Sequence, residues 1–296
     1  MSYPVERGGY VYSKGTAAGF SRMQRLGIPR PLFALESKLA KLVEKELAKI
    51  VRDITAKLRE LAGGTELTAD AETDAEVLIR YISEFDEAAK DEELKFKLGS
   101  IVSQLEDASD DGYISGALET EIDRLLKKDQ NDYLKRLLSD ADDRTSAVIK
   151  SFSIDKKKVF EKSIGGIRRM YLDNALERIK GEKSLIKKRI LQKITDYAIG
   201  NSDTLDLTEL VKESYLSGKN LAKMFARDQM QRLNKASTLA TFAAAGVSKI
   251  KWVTAGDIRV RKSHRALNGK IFGINELPKE ADDYNCRCGL VPVEWE

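Results

Sequence analysis

Three side chains that can bind a soft metal ion or act as nucleophiles lie close together near the C-terminus. Cys286 and Cys288 are the only cysteines of the 296-residue chain, and His264 is its only histidine. Two thiolates and an imidazole are typical ligands of zinc. Because alternate side chains of a strand share one face, a strand through residues 286–288 is expected to place the two sulfurs side by side.

Asp257 is the candidate fourth ligand of such a zinc site, or a carboxylate that orients His264. The Cys-x-Cys spacing differs from the Cys-x2-Cys pattern of common zinc motifs, so two alternatives stay open. The cysteines could simply pack in a core, and His264 could bond Asp257 and lock a loop without metal. The cofactor prediction is therefore Zn2+ or none. A disulfide in so short a ring would be strained, which predicts free thiols and a reducing compartment.

A catalytic interpretation uses overlapping residues. Asp257, Arg259, Arg261 and His264 form a polar group suited to phosphate binding or acid–base chemistry, and a cysteine with His264 could form a nucleophile pair. The sequence has no motif typical of an oxyanion hole, a metal-dependent nuclease or a Walker-type phosphate loop. We therefore predict a protein that is not an enzyme, with a nuclease-like C-terminal activity as the alternative.

The elements that must position these side chains predict a mainly α fold with a small α+β module at the C-terminus. Apolar residues at three- and four-residue steps predict a helix over 34–62. Further helices are predicted over 74–90, 91–108 and 116–143, in two basic segments over 155–180 and 183–200, and from there to about residue 245. A turn at Ser217–Gly218 is expected to divide the last helical stretch. Short strands are predicted around residues 248–255, 270–274 and 286–295. In the first strand, one face is expected to carry Ile250, Trp252 and Thr254, and the other Lys251, Val253 and Ala255. The predicted organisation is an irregular arm over 1–33, a helical region over 34–204 and the module over 205–296.

Charge is distributed unevenly although the net charge is only +4. Residues 51–150 carry 14 Lys and Arg against 25 Asp and Glu, whereas residues 151–200 carry 13 against 6. This polarity suits a protein that meets different neighbours at different ends, or simply solvated helix faces. No segment has the apolar length of a membrane span or the pattern of a signal peptide. Candidate contacts to nucleic acid or a partner are Lys156, Lys157, Lys158, Arg168, Arg169, Lys187, Lys188 and Arg189.

The segments "WVTAGDIRVRKSHRALNGKIF" and "PKEADDYNCRC" resemble the C-terminal signature of phage minor head proteins, the head-morphogenesis family that includes phage Mu F-like proteins. The preceding helix, with Ala226–Arg227, Asn234 and Gly246, is also similar, although Asp228–Gln229 replaces the family's usual Thr-Glu. The resemblance covers residues 205–296. Its main motif residues are Trp252, Thr254, Asp257, Arg259, Arg261, His264, Gly269, Asn285, Cys286 and Cys288.

This resemblance implies a low-copy structural protein of a tailed-phage head, present in several copies around the portal vertex. The implied partners are the portal protein, the major capsid or scaffold proteins and, in some members, packaged DNA. The implied location is the virion, and the host cytoplasm during assembly. Similar modules joined to toxin-like domains imply the alternative of a nucleic-acid-acting enzyme, such as a nuclease or a toxin-like protein. A DNA-binding packaging factor without catalysis is a third alternative, in which the basic residues of 151–200 would contact phosphates.

Overall fold

The structure is a computed structural model that describes residues 33–61, 102–103, 114–140, 143–199, 201–202, 207–256, 260–279 and 286–295. Most of the predicted arm, residues 1–32, lies outside these ranges. The helices predicted over 74–90 and 91–108 also lie outside them, apart from residues 102–103.

The described residues form six helices and one three-stranded sheet, which confirms the predicted mainly α fold with a small α+β module. The helices are α1 (Phe33–Leu61), α2 (Gly116–Asp140), α3 (Asp143–Lys150), α4 (Ile154–Ala198), α5 (Leu207–Ala244) and α6 (Lys262–Leu267). The strands are β1 (Val247–Val253), β2 (Ile271–Gly273) and β3 (Gly289–Trp295). No helix in the described ranges has the long apolar stretch that crossing a bilayer requires.

The sheet has the order β2-β1-β3, and both neighbours run antiparallel to the central strand β1. Ile250 pairs with Phe272 on one side, and Trp252 pairs with Leu290 on the other. The predicted alternation holds for Ile250 and Trp252, which are buried. It fails at Val253, which is buried on the opposite face in a small cluster with Phe33, Ala255, Val260 and Val291.

The contacts of the chain divide it into two compact units. The first comprises Met1–Lys38, Thr120–Asp173 and Met224–Glu296, and the second comprises Leu39–Glu119 and Asn174–Lys223. Since both units draw on separated segments, they differ from the three consecutive regions expected from sequence, whose boundaries stay a prediction.

The core of the first unit joins the sheet to helices α2, α5 and α6. Its buried members are Leu137, Phe242, Val247, Ile250, Trp252, Leu267, Cys286 and Leu290. Polar bonds connect α2 to α5 beside this core. Gln130 Nε2 donates to Ser237 Oγ at 2.8 Å, and the hydroxyls of Tyr133 and Thr238 are 3.0 Å apart. Such buried bonds fix the register of the two helices because an unmatched polar group would cost about 1–3 kcal/mol.

The second unit shows why the predicted turn at Ser217–Gly218 is wrong. α5 continues through both residues as one helix. A Cβ atom at Gly218 would lie 3.6 Å from Leu47 Cβ and 3.7 Å from the Ile186 side chain, so the glycine faces a packed helix contact. This packing offsets the roughly 1 kcal/mol helix penalty of glycine. Similarly, the two basic helical segments predicted around Gly181 form the single helix α4.

Candidate metal centre

Helix α6 and the residues before β3 bring the three soft side chains together. His264 lies in the first turn of the short helix α6, after the end of β1. Cys286 and Cys288 directly precede β3 rather than lying within it, so the expected strand position is corrected. Residues 286–288 are not part of a strand. The two sulfurs lie near each other because both contact the His264 ring.

The imidazole faces both sulfurs through one atom. His264 Nδ1 lies 3.3 Å from Cys286 Sγ and 3.6 Å from Cys288 Sγ. The backbone N–H of Cys288 donates to Cys286 Sγ at 3.3 Å. The three donor atoms all lie within 4.8 Å of one another, which is a compact arrangement of one nitrogen and two sulfurs.

This cluster is enclosed by the core of the first unit. His264 is 2% exposed and Cys286 is 8% exposed, whereas Cys288 is partly buried. The Trp252 ring meets the imidazole edge to face, with 5.5 Å between the ring centres. The ammonium of Lys235 lies 5.0 Å from the centre of the Trp252 ring. Such an environment restricts access of a substrate to the sulfurs.

The pKa values of the two thiols are shifted in opposite directions. A hydrogen bond from Cys288 lowers the pKa of Cys286 to about 6 despite burial, and the charges of Lys235 and His264 act in the same direction. The pKa of Cys288 is raised because its proton is held by Cys286 and because the thiol is buried. In a metal-free lock the Cys288 thiol would donate to a Cys286 thiolate, whereas a metal ion would bind both cysteines as thiolates.

Arg287, between the two cysteines, points to a different partner. Its Nη2 donates to both carboxylate oxygens of Glu36 in α1, at 2.9 and 3.1 Å. Arg227 in α5 donates to the same carboxylate through Nε at 3.4 Å. All three side chains are at least about nine-tenths buried. The Cys-Arg-Cys segment thus bonds His264 through its sulfurs and α1 through its guanidinium.

Comparison with known proteins concerns this same part of the chain. Residues 175–291 match the model of the family described as Phage Mu protein F like protein. These residues are similar to the Phage Mu protein F like proteins. The match confirms the family resemblance predicted from the motif, and it begins within α4, upstream of residue 205. It supports the predicted class of phage head morphogenesis proteins.

A Haemophilus influenzae protein (strain ATCC 51907 / DSM 11121 / KW20 / Rd), described as an uncharacterized protein, is similar to the chain. The two are 31% identical over 122 residues, which is 40% of this chain. The match spans 27% of the length of that relative. No solved structure matches the chain.

Within the Mu F-like region, Thr254 and Gly269 stabilise the connection between β1 and α6. The backbone N–H and hydroxyl of Thr254 both donate to Asn268 Oδ1, at 3.0 and 3.1 Å. Gly269 has φ +82°, a conformation that favours glycine, and its N–H donates to Trp252 O at 2.8 Å. These bonds hold the end of α6 against β1 and so position His264.

The remaining predicted motif residues are Arg261, Asp257, Arg259 and Asn285. Arg261 is exposed at the start of α6. Asp257, Arg259 and Asn285 lie outside the described residues, so the structure does not test the carboxylate ligand. Sequence reasoning missed Glu36 and Asn268. Glu36 could have been found as a charged residue among the apolar positions of α1, since Leu35, Leu39 and Ala40 around it are buried.

The predicted basic contacts have unequal positions. Lys156, Lys157 and Lys158 are exposed in the first turns of α4, and Arg169, Lys188 and Arg189 are exposed further along. Arg168 is partly buried, and its Nε donates to Asp123 Oδ1 at 2.9 Å. Lys187 is only 7% exposed. The exposed members are therefore the better candidates for contact with a partner or a phosphate, and that contact stays a prediction.

Proposed function

We propose that the protein is a structural minor capsid protein of a tailed phage that associates with the portal and the inner capsid during head assembly and DNA packaging. In this proposal it occupies the portal vertex of the virion in several copies, after assembly in the host cytoplasm. The family match over residues 175–291 supports a role in head morphogenesis. The proposed neighbours are the portal protein and the major capsid or scaffold proteins.

The inward orientation of the motif side chains carries this proposal. Trp252, Thr254, His264 and Cys286 are buried and contact one another or the adjoining strands. Arg287 is directed to α1. A catalytic centre needs reacting atoms that a substrate can approach, whereas a framework needs satisfied, buried contacts. Trp252, Thr254, His264 and Cys286 are buried as a framework requires, whereas Arg261 is exposed.

Co-assembly tests the proposal. The protein should be co-expressed with the portal and major capsid proteins of the same phage genome, and the particles separated by density-gradient sedimentation. We expect the chain to sediment with portal-containing particles and to be lost from particles assembled without portal. A chain that stays at the top of the gradient in both preparations would contradict portal association.

Replacing both cysteines separates a framework role from catalysis. Cys286→Ser with Cys288→Ser is expected to lower the free energy of unfolding by about 1–3 kcal/mol, because buried polar groups lose their matched partners. Urea unfolding measures this change, with Ser263→Ala at an exposed position of α6 as control. The wild type should leave DNA and RNA intact with or without zinc. Cleavage by the wild type that the double variant lacks would favour the nuclease alternative.

DNA contact by the start of α4 is a second candidate function, favoured by the three consecutive exposed lysines. Each phosphate contact contributes about 0.9 to the slope of log binding constant against log salt concentration. Changing Lys156, Lys157 and Lys158 to Gln should therefore reduce that slope by about 2–3. Fluorescence anisotropy with duplex DNA measures the slope, and Lys127→Gln on an exposed position of α2 is the control. An unchanged slope would exclude this contact.

A further inference from the structure

The converging donors of the first unit have the separations of ligands around one metal ion. With Zn–S near 2.3 Å and Zn–N near 2.05 Å, tetrahedral geometry places a sulfur and a nitrogen ligand about 3.6 Å apart. The Nδ1 atom of His264 lies 3.3 and 3.6 Å from the two sulfurs. The two sulfurs lie within 4.8 Å of each other, and the same geometry would hold them about 3.8 Å apart.

Hydrogen bonding alone does not explain why one imidazole nitrogen lies close to two sulfurs. An imidazole nitrogen carries either one proton or one lone pair in the ring plane, so it makes one well-directed bond. Here the distances from Nδ1 to the two sulfurs, 3.3 and 3.6 Å, differ by only 0.3 Å. A metal ion between the three atoms would give each donor its own directed bond, whereas in a metal-free lock the His264 imidazole and the Cys288 thiol would both bond Cys286 Sγ.

We propose that His264, Cys286 and Cys288 bind one zinc ion that fastens α6 to the segment preceding β3. Two thiolates balance the charge of Zn2+, which suits a core built from Trp252 and Leu290. Three protein ligands leave the fourth tetrahedral position for an oxygen ligand such as water. This assignment is independent of the proposed role in head assembly and stands or fails without it.

Metal analysis of the full chain tests the assignment directly. The protein should be purified under reducing conditions without a histidine tag, and its zinc measured by inductively coupled plasma mass spectrometry. We expect about one zinc per chain. After chelation, titration with Co2+ should give a thiolate-to-cobalt charge-transfer band and the intense visible bands of tetrahedral cobalt. A wild-type chain that binds neither metal at saturating concentration would overturn the proposal.

Ligand variants assign the site to these residues. Cys286→Ser, Cys288→Ser and His264→Asn should each weaken metal binding by about 100-fold or more, while Ser263→Ala should bind like the wild type. Cys288→His retains a ligand and should keep cobalt with a weaker thiolate band, even if other variants fold poorly. Circular dichroism identifies unfolded variants. The assignment would be overturned by a folded variant that lacks both Cys286 and Cys288 and still contains one zinc per chain.

Discussion

Glu36→Ala is expected to lower the free energy of unfolding by about 3–5 kcal/mol, the cost typical of removing one partner from a buried ion pair. The Glu36 carboxylate accepts two bonds from Arg287 and one from Arg227, and its side chain is 9% exposed. The substitution removes the carboxylate that lies between these two buried guanidiniums. Because Arg287 lies between the two cysteines, the segment that carries them would lose its bond to α1.

Urea unfolding of two further variants separates the effect of losing the Glu36 charge from the effect of losing its side-chain volume. Glu36→Gln keeps the side-chain volume and one acceptor oxygen, so it should cost less than Glu36→Ala yet remain clearly destabilising. Glu119→Ala removes a carboxylate from an exposed position in the first turn of α2, and it should cost less than about 1 kcal/mol. Equal effects of Glu36→Ala and Glu119→Ala would show that the buried ion pair contributes nothing to stability.

Glu36 also illustrates where sequence reasoning reached its limit. The apolar spacing of α1 predicted its extent to within one residue at each end, because the stripe of Leu39, Val43 and Leu47 must be buried. The same pattern treated Glu36 as a surface residue. Its partners lie 191 and 251 residues away in sequence, and helical periodicity holds no information about contacts at that separation.

Local signals failed where packing overrides propensity. Ser217–Gly218 has the composition of a turn, yet the neighbouring Leu47 and Ile186 side chains hold the backbone of Gly218 in α5. At the candidate metal centre, the rarity of cysteine and histidine was enough to predict a cluster of His264, Cys286 and Cys288 from sequence. Sequence spacing could not supply the approach of α6, which depends on the Thr254–Asn268 bonds and the positive φ of Gly269.

Asp129 is expected to make the protein less stable as pH rises. Burial raises the pKa of this α2 carboxyl to about 7, although a hydrogen bond from Asn234 Nδ2 at 2.8 Å lowers it and Glu36 and Asp132 raise it further. Below about pH 4 the group is protonated in both the folded and the unfolded chain. Between about pH 4 and 7 only the unfolded chain releases the proton, so the free energy of unfolding falls.

The size of this loss follows from the difference between the two pKa values. The shift from 3.8 to about 7 corresponds to about 4 kcal/mol, at about 1.4 kcal/mol per pKa unit. Asp129→Asn replaces the carboxyl with a neutral group that can still accept from Asn234. Its stability relative to the wild type should be nearly unchanged at pH 4 and should rise to a gain of about 4 kcal/mol above pH 7.

Urea unfolding between pH 4 and 9 measures the difference between Asp129→Asn and the wild type. Asp155→Asn, which removes an exposed carboxylate from the start of α4, is the control for the loss of one negative charge. A difference that does not change with pH for Asp129→Asn would show that the carboxyl ionises alike in the folded and unfolded chain.

A double-mutant cycle can combine the substitutions at Glu36 and Asp129, because the charge of Glu36 raises the pKa of Asp129. In a Glu36→Gln background the pKa of Asp129 should fall, so the pH-dependent gain from Asp129→Asn should begin at lower pH and be smaller at its maximum. The coupling would extend the influence of the Glu36 carboxylate beyond its two arginines to the α2–α5 contact at Asn234. An identical pH profile in both backgrounds would limit Glu36 to its ion pair with Arg227 and Arg287.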